Sequence, residues 1–123
     1  MLAVSERYLN GSDPQRARAA TLTSIATGFS GGLGNTHEEL CGALSGGVML
    51  IGALVGRSSG GEDDRPAIEL AARYRERFLE TFGYTQCSEL REHVIDPPDG
   101  LGSCGPLVER AAMLLMRLLD EER

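Results

Sequence analysis

The chain predicts an all-α fold: a bundle of five or six helices around a central glycine-rich apolar helix at about 37–56. Three observations predict it. Apolar residues recur at three-to-four spacing along most of the sequence, and no stretch of useful length alternates with period two. Helix-start residues (Asp13, Thr36, Asp64, Thr85, Ser103) precede these runs, and glycines such as Gly28, Gly56 and Gly83 follow three of them. Residues 40–56 form 17 consecutive uncharged positions, LCGALSGGVMLIGALVG. In a small domain such a segment is covered on nearly every side.

The elements follow in order. Residues 2–9 are a candidate first helix, stopped by Asn10-Gly11. Asp13-Pro14 reads as a cap with proline at the first helical position, opening a helix to about Ala26. GFSGGLGN (28–35) holds four glycines and cannot be regular helix. Thr36 and Glu39 have capping-box spacing, which predicts the start of the central helix at His37. RSSGGEDD (57–64) is the predicted flexible linker. Asp64 and Pro66 open the next helix, where Ile68, Ala71, Ala72, Tyr74, Phe78, Leu79 and Phe82 make the apolar stripe and Gly83 the stop. A short helix is expected at about 86–94, then the loop DPPDGLG (96–102). Ser103 caps the last helix, whose stripe is Leu107, Val108, Ala111, Leu114, Leu115 and Leu118.

The 123 residues suffice for one domain and one core, so residues 1–123 are read as a single helical domain. Aromatics are only 5% and Trp is missing, so that core is aliphatic. All 12 basic residues are Arg, which excludes lysine Schiff-base chemistry and a lysine-dependent phosphate loop. A net charge of −6 argues against nucleic acid as a partner. The 40–56 run is near the length of a membrane span. Its five glycines, Cys41, Ser45 and the want of flanking aromatics argue for a buried helix and against a membrane. The first ten residues have no secretory pattern, and three cysteines are too few for a disulfide scaffold, so the expected compartment is the cytoplasm.

Chemistry concentrates at the cysteines. Cys41, Cys87 and Cys104 each fall near a predicted helix start, where free N–H groups and the helix dipole favour a thiolate. Cys87 and Cys104 sit in first turns and are expected to be the exposed reactive thiols, with Cys41 the more buried partner or resolving thiol. The same residues could equally be small core hydrophobes. A third reading groups His37, one turn before Cys41, with Cys41, Cys87 and Cys104 as ligands for iron or zinc. No C-x-x-C pair supports a zinc ribbon or a thioredoxin-like site. The glycine loop follows a helix and lacks G-x-G-x-x-G spacing, so it does not predict a nucleotide site.

The segments FSGGLG (29–34), LCGALSGGVMLIGALVG (40–56), FLETFGYTQCSEL (78–90) and SCGPLVERAA (103–112) together resemble the C_GCAxxG_C_C family of redox-active proteins. The core pattern is Cys41-Gly42-Ala43-Leu44-Ser45-Gly46. The resemblance implies a helical protein with cysteine-based redox or electron-transfer function, and it identifies no cofactor or substrate. It also implies a shortened N-terminal part (1–19), because residues 1–40 contain no Cys to match the family's first. Cys41, Cys87 and Cys104 are then the catalytic candidates, acting as a reversible dithiol with a redox partner protein. The alternatives are an iron or zinc module and a structural helical homodimer. The last of these rests on the apolar Leu107–Leu119 stretch, which exceeds one helix face.

Overall fold

The computed structural model describes residues 13–122, so the candidate helix at 2–9 lies outside the described residues. The order is α1 (Asp13–Ala26), a 3-10 turn (Thr27–Phe29), α2 (Gly42–Val55), α3 (Arg65–Phe82), α4 (Cys87–Leu90) running into a π turn (Arg91–Ile95), and α5 (Cys104–Glu121). Among the described residues there is no strand, only one isolated bridge between Leu40 and Gln86. The fold is all-α.

α2, α3 and α5 pack on one another, and α1 lies chiefly on α2. The shared core is built from Leu44, Leu50 and Ile51 of α2, Tyr74 and Phe78 of α3, and Leu107, Leu115 and Leu118 of α5. Each fully buried aliphatic or aromatic side chain contributes about 1.5–3 kcal/mol. The glycines of α2 permit this closeness. A Cβ on Gly47 would lie 2.4 Å from Cε2 of Tyr74, so only glycine lets that ring against the helix backbone. The Tyr74 hydroxyl then donates to the Ala43 carbonyl at 3.1 Å. At the far end, Arg77 donates to Glu121 at 3.0 Å, and Arg73 pairs with Glu122.

The central helix starts five residues later than expected. Its first residue is Gly42, not His37, and Thr36 is not its cap. Thr36 instead donates its hydroxyl to Leu33 O at 2.7 Å. His37 and Glu39 take left-handed conformations, with φ of 64° and 66°, which no helix tolerates. The reason is tertiary. The Cys41 N–H donates to Thr85 O, and the Cys87 N–H donates to Glu39 O, both at 2.9 Å. These bonds stretch residues 39–41 along 85–87 and override the local capping signal. The preceding loop demands glycine too: a Cβ on Gly32, at φ +82°, would stand 1.7 Å from Glu38 O.

The other elements keep close to their expected limits. α3 is preceded by Asp64 and ends at Gly83. The 57–64 segment folds on itself, with the Ser58 hydroxyl donating to Glu62 at 3.0 Å and Arg57 lying 3.6 Å from Asp64. The short helix is capped by Gln86 rather than Thr85 and widens into a π turn after Leu90. The apolar surplus of the last helix is mostly taken up internally. Leu119 is buried, and Leu114 and Met116 are half-buried against the core.

Candidate functional site

All three cysteines stand where helices begin. Cys41 is the cap of α2, Cys87 the first residue of α4 and Cys104 the first residue of α5. Cys41 is therefore nearer the helix end than expected, because α2 starts late. The Leu40–Gln86 bridge brings two of them together. The bridge is antiparallel, so Cys41 follows it opposite Thr85 and Cys87 follows it opposite Glu39, diagonally across the pair. α5 carries Cys104 to the same place, and all three residues line one cavity of about 410 Å³. Other parts of the wall come from α1 and its 3-10 turn, from the start of α2, from Leu90, Arg91 and Ile95, and from Leu107 and Val108 of α5. All three are free thiols.

Their exposures differ from expectation in two respects, since the sequence predicts Cys87 exposed and Cys41 the deeper of the two. Cys104 is exposed and Cys41 half-buried, but Cys87 is only 6% exposed and belongs to the core. Cys87 is turned inward because its N–H is tied to Glu39 and the next turn is anchored by buried Leu90. The helix-start argument for acidic thiols fails at Cys41 and Cys87. Burial pushes the Cys41 thiol up; the Ala43 and Leu44 amides pull it down, without a capping hydrogen bond, and do not win. Burial likewise pushes Cys87 up, the nearby Cys104 adds to this, and the Arg91 guanidinium opposes it. Removing a charge-bearing sulfur from water outweighs a few dipoles.

Arg91 is the residue that sequence reasoning missed. It lines the cavity, and its Nη1 lies 4.0 Å from Sγ of Cys104. The signal available was its position one turn after Cys87, on the same face of a predicted helix. His37 is not part of the cavity wall, and no group of three or more His, Cys, Asp or Glu is disposed to hold a metal ion among the described residues. The left-handed turn at His37 separates it from the helix it was expected to share with Cys41. The other histidine, His93, stacks on Tyr84 at 4.8 Å. No helix among the described residues is long and apolar enough to cross a membrane.

A helical bundle that gathers widely separated cysteines around one cavity defines a class, the small all-α thiol proteins. Within that class the chain belongs to the C_GCAxxG_C_C family, described as "putative redox-active protein", whose model matches residues 3–118. No curated protein and no solved structure matches the chain.

Proposed function

We propose that the protein is a two-electron thiol–disulfide carrier in which Cys104 attacks and Cys87 resolves. The observation that carries the reading is that three cysteines line one cavity. Cys104 is the exposed member, so an incoming disulfide reaches it first. Its thiolate attacks one sulfur of the disulfide, and the other sulfur leaves as a thiolate. Cys87 then gives its proton to solvent and attacks Sγ of Cys104, releasing the second thiolate. The protein loses two electrons and the external disulfide gains them. Cys87 is favoured over Cys41 for the second step because Arg91 acts on both Cys87 and Cys104.

The test is mass spectrometry of peptides after the reduced full chain meets one equivalent of a small organic disulfide. The expected product is an internal Cys87–Cys104 bond. Cys87→Ser should trap a mixed disulfide on Cys104, and Cys41→Ser should still form the internal bond. Independent capping of each cysteine, with no internal bond, would overturn the reading. Loss of the bond in Cys41→Ser would overturn the role given to Cys87.

A further inference from the structure

The cavity has an uneven chemistry that the thiols alone do not require. Its wall is mostly apolar, from Ala26, Phe29, Leu90, Ile95, Leu107 and Val108. Arg91 is its one charged residue among the described residues, and no Asp or Glu lines it. In a chain with 18 acids and 12 arginines, none of the acids among the described residues joins Arg91 in this wall. Four arginines have carboxylate partners, Arg57 with Asp64, Arg65 with Asp63, Arg73 with Glu122 and Arg77 with Glu121; what sets Arg91 apart is its place in the wall beside the cysteines. Arg91 has a contact with the Cys104 sulfur and no such ion pair among the described residues.

A guanidinium carries five donors in a flat fork that matches a carboxylate. One directed at a sulfur leaves the others for a ligand. The volume, about 410 Å³, suits a small organic molecule. We infer that the cavity admits low-molecular-weight organic disulfides bearing a carboxylate, with Arg91 binding the carboxylate while Cys104 attacks the adjacent sulfur. This rests on the thiol–disulfide reading above and adds its substrate class. The electrons follow the same path: two thiols of the protein become one disulfide, and the substrate disulfide becomes two thiols. Arg91 is then a specificity residue as well as a neighbour of the sulfur.

The two roles of Arg91 separate experimentally. A change in thiol reactivity slows every disulfide alike, whereas a lost carboxylate contact slows only the anionic ones. Second-order oxidation rates of the reduced full chain are measured with dithiobis(nitrobenzoate) as the anion, dithiodipyridine as the neutral probe and cystamine as the cation. Arg91→Gln should slow the anion at least about tenfold relative to the neutral probe, the scale of a charge-assisted hydrogen bond. The rate with cystamine should not fall more than with the neutral probe. Arg91→Lys, which keeps the charge and loses the fork, should fall between wild type and Arg91→Gln for the anion alone and serves if the glutamine variant does not fold. Equal slowing of all three probes, or no slowing, overturns the carboxylate assignment and leaves the thiol–disulfide reading standing. A wild-type chain that forms no internal bond with any probe overturns both.

Discussion

Cys41, Cys87 and Cys104 share a local motif and differ in what surrounds it. Helix starts offer every one of them the same dipole, but burial sets the balance at Cys41 and Cys87, where the thiol pKa rises above an ordinary 9.0. The folded state therefore prefers the protonated sulfur. Its contribution to stability is complete below about pH 9, the unfolded value, and is lost as pH rises through the higher folded values. Tyr74, pushed up by burial and by Cys41, adds a second loss beginning above its ordinary 10.0. Urea midpoints should thus be level from neutrality to about pH 9 and then fall. Cys41→Ser and Cys87→Ser should delay the onset of the fall, and a profile unchanged in both variants would refute this account. The helix-start positions of Cys87 and Cys104 were legible in Thr85 and Ser103, although the first cap falls one residue later, at Gln86. The inward turn of Cys87 was not, because it depends on a hydrogen bond to Glu39, 48 positions away (87 − 39).

At the scale of elements, α2 shows how glycine spacing becomes packing. Gly47 receives the Tyr74 ring, and Tyr74 returns a hydrogen bond to Ala43, one turn earlier on the same helix. Gly47→Ala places a methyl group inside that ring and should destabilise by about 1–3 kcal/mol, as overpacking does. Tyr74→Phe keeps the ring and removes the hydroxyl, and should cost about 1 kcal/mol. Equilibrium unfolding in urea checks both, and a neutral Gly47→Ala would mean that the ring moves freely. Periodicity located α3 and α5 well, and Gly83 the end of α3, because an amphipathic stripe and a terminal glycine are local properties. The start of α2 was misread for the complementary reason. The Thr36–Glu39 box is a local signal worth about 1 kcal/mol, and two backbone hydrogen bonds to residues 85–87 compete with it.

The whole molecule is a tight three-helix core with one lightly attached wall. Among the described side chains of α1, Leu22 packs against the core and none is fully buried. Arg18 reaches Ala53 O on α2 at 2.5 Å. α1 nevertheless supplies Thr23 and Ala26 to the cavity, so its detachment would open the site without unfolding the rest. Local opening is easiest where few apolar contacts are lost. Hydrogen exchange should find α1 amides exchanging far faster than those of α2, α3 and α5. Equal protection in α1 and α2 would show instead that the bundle opens only as one unit.

Helix content, the stops at Gly83 and Gly56 and family membership could all be read from the order of residues; the core expected to be aliphatic also holds Tyr74, Phe78 and Phe82. Each legible feature depends on neighbours within a few turns or on composition, which a linear chain carries openly. The shared cavity, the burial of Cys87, the exclusion of His37 and the cation beside Cys104 came from folding. They are meetings between segments dozens of residues apart, and the crossing of 39–41 with 85–87 that creates them is a competition between distant hydrogen bonds and local ones.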